Sequence, residues 1–286
     1  MTRTVTSFCP GHISGYFRPV FGPDARSTGS MGAGIVIDEG VRVTAGLADL
    51  TRVTVDRVDL NDRVIERSGG SLPVEDLLTR MGAEAEIRTA CRLPIGAGFG
   101  LSAAALTATA VAVNRLYDLG FSLEECIEYA HESEIRHHTG LGDVAASQGG
   151  GRDCRKGAGI EADIERCFDL FDPIFAVTFS SLPSPSILSS KTAMDQVVRA
   201  FPGRCPETPE EFFRFSRDFS EKSGLITPEV RFGLEECDRE GILASMTMLG
   251  NGVFAYGEGA REILGQLGET FEVHVASSGV RILEVS

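Results

Sequence analysis

The segment Pro94-Ile-Gly-Ala-Gly-Phe-Gly-Leu-Ser-Ala103 places three glycines at alternate positions and leads directly into Ser102–Leu119. That stretch is rich in alanine and leucine, holds no Gly or Pro, and reads as a helix with Gly120 as its C-terminal stop. Glycine admits positive φ and lets the backbone approach a ligand closely. The free N–H groups of a helix's first turn, together with its dipole, favour an anion, most commonly phosphate. Ser102, at the helix start, is a candidate helix cap, phosphate contact or Mg²⁺ ligand. Two familiar phosphate loops do not fit. A dinucleotide-binding Gly-x-Gly-x-x-Gly requires glycine where Leu101 stands, and a Walker A loop requires a lysine that is not there. A tight strand-to-helix turn with no ligand is the alternative for the glycines taken alone.

The chain before this loop reads as β-rich. Thr2–Phe8 is a short β-prone run that stops at Pro10-Gly11. Gly34–Ile37 and Val41–Ala45 flank Asp38-Glu39-Gly40, a hairpin signal. Val53–Leu60 and Ala85–Leu93 alternate apolar and polar residues as half-buried strands do. After the first helix, Ser122 with Glu125 three residues on signals a capped second helix to about His138. Thr139–Gly151 is then a Gly-rich connection. Further on, Phe168–Ser180, Asn251–Tyr256 and Phe271–Ala276 read as strands, and Ser190–Ala200, Pro209–Ser223, Pro228–Glu240 and Arg261–Leu267 as helices. This pattern predicts an α+β chain of two lobes, divided into residues 1–165 and 166–286.

The 286 residues carry 27 Lys plus Arg against 41 Asp plus Glu, a formal charge of −14. An acidic surface of this kind argues against nucleic acid as a partner. No run of about 18 apolar residues is present to span a membrane, and the N-terminus has no apolar stretch of signal length. The seven cysteines are scattered and form no C-x-x-C pair. Reduced thiols in a cytoplasmic protein, with neither a disulfide framework nor a zinc site, are the expectation.

Downstream of the loop lies His131-Glu-Ser-Glu-Ile-Arg-His-His-Thr-Gly-Leu-Gly-Asp-Val144. Phosphoryl transfer needs a positioned hydroxyl, a metal ion and charge compensation, and a nearby carboxylate to take the hydroxyl proton. Glu134, late in the second helix, and Asp143, in the Gly-rich turn after it, are the candidates. Glu132 competes with Glu134 for the metal, but the two lie about 200° apart on a helix, so only one faces the site. For each acid the alternative is ordinary: a solvated helix charge for Glu134, a turn cap for Asp143. Gly151-Arg-Asp-Cys-Arg-Lys-Gly157 packs three cations into a short stretch. Arg offers a planar fork suited to a carboxylate, so this stretch is a candidate anion site or, alternatively, a solvated loop.

Pro-x-Gly-x-Gly-x-Gly-x-Ser-Ala resembles the second motif of the GHMP kinases. The family form has two serines before the alanine; here Leu101 replaces the first. Pro10-Gly-His-Ile-Ser-Gly-Tyr-Phe17 stands where the family's first motif begins, and Leu249-Gly-Asn-Gly-Val253 where its third glycine loop lies. The first motif contains no lysine, which argues against a lysine–aspartate pair of the mevalonate-kinase type. Gly29-Ser-Met-Gly-Ala-Gly34, Thr139-Gly-Leu-Gly-Asp-Val144 and Gly150-Gly-x-x-x-Arg155-x-Gly157 are similar, within that superfamily, to the archaeal pantoate kinases.

The resemblance implies a GHMP-kinase fold, with an N-terminal lobe like domain 2 of ribosomal protein S5 and a ferredoxin-like C-terminal lobe. It implies ATP and Mg²⁺ as cofactors, pantoate as the acceptor and a homodimer. ATP would lie on Pro94, Gly96, Gly98, Gly100, Ser102 and Ala103, and Mg²⁺ on Ser102 and Glu134. Asp143 would be the catalytic residue, with Arg155, His131, Ser30 and Ser184 around the substrate. Other GHMP kinases, acting on shikimate, homoserine or a mevalonate derivative, and a non-catalytic sensor on the same fold are the alternatives.

Overall fold

The computed structural model describes residues 3–181 and 190–286. Two long antiparallel strands, β1 (Thr4–Val20) and β2 (Gly29–Leu47), form the backbone of the first lobe. Around them lie β3 (Arg52–Val58), β4 (Val64–Gly69) and β5 (Ala85–Cys91), in the order β12-β1-β2-β5-β3-β4, where β12 is Arg281–Val285. Two short strands, β6 (Arg152–Arg155) and β7 (Ile164–Cys167), extend the sheet from the first half of β2.

The helices of this lobe are α1 (Leu72–Met81), α2 (Leu101–Tyr117), α3 (Leu123–Arg136) and the single turn α4 (Asp143–Ala146). α2 is buried almost all round, as its small apolar side chains permit. Its termination differs from expectation: Asp118, in the left-handed conformation, closes it two residues before Gly120. α3 begins with the expected reciprocal cap, Ser122 accepting from the Glu125 N–H and the Glu125 side chain accepting from the Ser122 N–H.

The second lobe runs β8 (Ile174–Ser180), α5 (Lys191–Ala200), α6 (Pro209–Ser223), α7 (Pro228–Arg239), β9 (Ala244–Met246), β10 (Asn251–Tyr256), α8 (Gly259–Gly265) and β11 (Thr270–Val273). Its antiparallel sheet has the order β11-β8-β10-β9, the strand order of a ferredoxin-like βαββαβ unit. Ser190, Thr208 and Thr227 each cap the helix that follows them by accepting from its third N–H. Among the described residues, no helix is long and apolar enough to cross a membrane.

Four further expectations change. The hairpin at Asp38-Glu39-Gly40 does not form, and β1 does not stop at Pro10-Gly11. Pro10 pairs with Gly40 and Gly11 with Ile37, so Asp38 and Glu39 bulge from one continuous strand. Both halves of β2 bond to the same long partner, and the bulge bends the pair instead of reversing it. The second lobe attaches at that bulge: the Asp38 N–H donates to the His274 carbonyl (2.8 Å) and Asp38 Oδ1 accepts from the His274 N–H (2.7 Å). The division at residue 165 is crossed twice, because β7 straddles it and β12 returns from the C-terminus to pair with β1. Finally, Cys154 and Cys205 form a disulfide, with Cα atoms 5.8 Å apart. β6 brings Cys154 to the segment leading into α6, 51 residues later, a juxtaposition that no spacing in the sequence announces.

Close packing between the lobes depends on Gly15. A Cβ there would sit 2.1 Å from Ser216 Oγ and 2.8 Å from the Phe212 ring, so α6 lies directly on β1. Tyr16 and Phe17 then pack against Phe215 and Phe219 of that helix.

Candidate active site

Gly96, Gly98 and Gly100 all adopt positive φ (78°, 84° and 62°), so the loop before α2 requires glycine at these alternate positions. A Cβ on Gly98 would meet the Met248 carbonyl at 2.8 Å, and one on Gly250 the Ala97 carbonyl at 2.2 Å. The second and third glycine motifs therefore pack backbone against backbone. Gly100 is the N-cap of α2 and offers no side chain, which leaves the first-turn N–H groups of α2 without a side-chain cap. Ser102 is exposed beside them and makes no capping bond.

This loop forms one wall of a cavity of about 410 Å³, with Gly96, Gly98, Gly100, Ser102 and Ala103 lining it. Ser14, Ser30 and Asp143 line it on another side, and Val55, Ser71 and Thr89 from the β3–β5 region enclose it further. Pro94 precedes the lining residues.

Asp143 opens α4 at the edge of this cavity and is only partly covered. Glu134, on α3, is fully buried, and neither of its carboxylate oxygens has a hydrogen-bond partner among the described residues. Burial and, next, the charge of Asp143 push its proton affinity well above the usual carboxylate range. Gly140 sits between the two acids: a Cβ there would lie 2.3 Å from Glu134 Oε1 and 3.1 Å from Asp143 Oδ2. An unpartnered buried carboxylate costs several kcal/mol unless a cation or proton compensates it. Mg²⁺ fits such a donor set, because it is held by one or two carboxylates together with phosphate oxygens and water. Among the described residues, no group of three or more His, Cys, Asp or Glu side chains is placed to hold a metal ion by itself. Glu132 points elsewhere and pairs with Arg80.

Arg155, His131 and Ser30 surround this centre differently. Ser30 lines the cavity, and a Cβ on Gly142 would meet its Oγ at 2.3 Å and Arg155 Nε at 3.0 Å. Arg155 is buried, ion-paired with Asp153, and leaves its Nε unpartnered. His131 is wholly buried behind the lining residues. Its Nε2 donates to the Thr28 carbonyl (2.9 Å), and burial lowers its proton affinity, which favours the neutral ring. Its Nδ1 has no hydrogen-bond partner and lies 3.9 Å from Glu134 Oε2. Ser184 lies outside the described residues.

The cationic stretch is not a solvated loop. Arg152 and Arg155 are buried on β6, where Arg152 pairs with Asp169 and Arg155 with Asp153; Lys156 pairs with Asp163 and Glu165. Two residues without a role in the sequence reading stand at the centre instead. His12 Nδ1 lies 2.7 Å from Asp143 Oδ1, and its Nε2 lies 2.7 Å from Asp153 Oδ1. Both His12 and Asp153 are fully buried. The available signal was polar chemistry at inward-facing strand positions: a histidine inside the apolar run of β1, and an aspartate between two arginines.

Residues 69–151 match the family described as GHMP kinases N terminal domain. The chain is 47% identical to a pantoate kinase of Methanospirillum hungatei, over 99% of this chain and 97% of that protein. It is 27% identical to a pantoate kinase of Thermococcus kodakarensis, over 94% of each. A solved phosphotransferase related to the CoA biosynthesis pathway superposes with a TM-score of 0.81 at 24% identity, covering 98% of both chains. A homoserine kinase from Cytophaga hutchinsonii superposes at 0.64 with 20% identity, over 98% of this chain and 97% of the other.

Proposed function

The chain belongs to the pantoate kinases of the GHMP kinase superfamily, and on that premise we propose that it transfers the γ-phosphoryl group of ATP to the 4-hydroxyl of (R)-pantoate, on the archaeal route to coenzyme A. The observation that carries this reading is the meeting of Asp143 and the unpartnered Glu134 carboxylate beside the glycine loop. The loop and the open first turn of α2 hold the triphosphate through backbone N–H groups. Glu134 and Ser102 are the proposed Mg²⁺ ligands; when bound, the ion neutralises charge on the phosphates. Asp143 orients the 4-hydroxyl and takes its proton. The hydroxyl oxygen forms the new O–P bond as the bond from phosphorus to the β–γ bridging oxygen breaks, and ADP leaves with that electron pair.

On the acceptor side, Ser30 lines the cavity, Arg155 has a free Nε behind Gly142, and His131, its neutral form favoured by burial, stands behind them. Ser30 and Arg155 are the proposed pantoate contacts, with Ser184 as a further one; His131, expected among them, has no surface on the cavity and supports this wall from behind. The same reading carries a cytoplasmic location, where ATP is at hand, and a homodimer.

ADP release measured over a panel of acceptors tests the proposal. Pantoate is expected to give turnover, with shikimate, homoserine and mevalonate inactive. Turnover on one of the others without pantoate, or ATP binding with no turnover on any acceptor, would overturn it.

A further inference from the structure

His12 is held at both ring nitrogens by carboxylates, each 2.7 Å away, and has no exposed surface. A neutral imidazole has one donor and one acceptor, so it satisfies only one of two ionised carboxylates. Asp153 is the better anchored of the pair. Although burial opposes its charge, Arg155 and His12 outweigh that and hold its carboxyl far below the usual range. Asp143 uses Oδ1 for His12 and, at 3.5 Å, for the Ser14 hydroxyl, while its Oδ2 has no hydrogen-bond partner among the described residues.

We propose that His12 is a positioning residue for the transfer: clamped by Asp153 and donating from both ring nitrogens, it holds Asp143 Oδ1 and so presents Oδ2 to the acceptor hydroxyl. The arrangement is an ordered chain, Arg155–Asp153–His12–Asp143, that runs from the interior to the reacting atoms. It rests on the reading of Asp143 as the proton acceptor.

The groups facing His12 are few. Asp143 comes from α4, Asp153 and Arg155 (NH1 at 3.5 Å) from β6, and Ser14 from its own strand; β2 presents only the backbone of Gly34. Burial pushes the His12 proton affinity down, but Asp153 and Asp143 outweigh it and the net shift is upward. The ring therefore stays cationic to higher pH than an ordinary histidine. Loss of that proton removes one of its two donors, which gives the rate an alkaline limb.

The test is steady-state kinetics with pantoate on the full chain, comparing His12→Gln, Asp143→Asn, their double variant and Asp153→Asn. His12→Gln is expected to lower kcat about 10- to 100-fold with little change in KM for ATP. In the Asp143→Asn background the same change is expected to cost no more than about threefold, because its target is gone. Asp153→Asn keeps the clamp's shape but removes its charge, so the alkaline limb is expected to move to lower pH. Losses that multiply in the double variant, or near wild-type kcat in His12→Gln, overturn the proposal while leaving the role of Asp143 intact. Wild-type turnover in Asp143→Asn removes both. Should His12→Gln not fold, an unmoved alkaline limb in Asp153→Asn overturns the proposal by itself.

Discussion

His12 Nδ1 and Asp143 Oδ1 are 2.7 Å apart across 131 residues of sequence. The contact ties a bulged strand near the N-terminus to the single turn α4. It fixes a carboxylate on the cavity that the glycine loop also lines, and a reacting group held in advance, the role proposed for Asp143, needs less ordering at the moment of reaction.

Asp143→Asn keeps the side-chain shape and removes the proposed base. Turnover is expected to fall by about 10²- to 10⁴-fold, with nucleotide affinity close to wild type. Single-turnover kinetics beside equilibrium nucleotide binding separates the two effects.

Glu134→Gln is expected to abolish Mg²⁺-dependent stabilisation by ATP, yet to stabilise the protein in EDTA. Folding raises the proton affinity of this carboxyl above its ordinary 4.5, so the native state holds a proton that the unfolded chain has released. Native stability therefore falls as the pH rises from that value towards the folded pKa. The variant lacks this loss, so its advantage grows with pH in that window, reaching about 1–3 kcal/mol. Thermal melts across pH in EDTA check the sign; a constant gap contradicts it.

Gly98→Ala and Gly82→Ala both force alanine into the left-handed region, with native φ of 84° and 70°. Each is expected to cost about 1–3 kcal/mol in backbone strain. Only at Gly98 does the added Cβ also meet backbone, the Met248 carbonyl at 2.8 Å; at Gly82 it meets nothing within 4 Å. KM for ATP is therefore expected to rise in the first variant and stay unchanged in the second.

Cys205→Ser removes the bond that joins β6 to the segment before α6. A loss of about 2–4 kcal/mol is expected under non-reducing conditions. Dithiothreitol is expected to lower the melting temperature of the wild type to about that of the variant and to leave the variant's unchanged.

The local features were legible wherever short-range backbone chemistry decides. The capping box at Ser122 and Glu125 and the glycine loop opening α2 both form as their residues predict. The loop's resemblance also pointed to the acids; helix periodicity said that only one of Glu132 and Glu134 faces inward, and the fold shows that it is Glu134, with Glu132 paired to Arg80. The turn signal at Asp38-Glu39-Gly40 misled, because one long partner strand overrode a local preference.

The stretch from Arg152 to Lys156 shows where such reading ends. By composition it is a candidate anion site or a solvated loop, whereas in the fold Arg152 and Arg155 are buried on β6 and pair with Asp169 and Asp153, and Lys156, exposed just after the strand, pairs with Asp163 and Glu165. The sequence alone determined the glycine loop at the start of a helix, its resemblance to a kinase family and, through that resemblance, which two acids to propose for the site. Tertiary structure alone decided that His12 stands between Asp143 and Asp153, 131 and 141 residues away. Helix caps and glycine turns are settled among residues a few positions apart, which spacing records. A pairing of buried charges is settled by which strands and helices the core brings together, and no spacing records that.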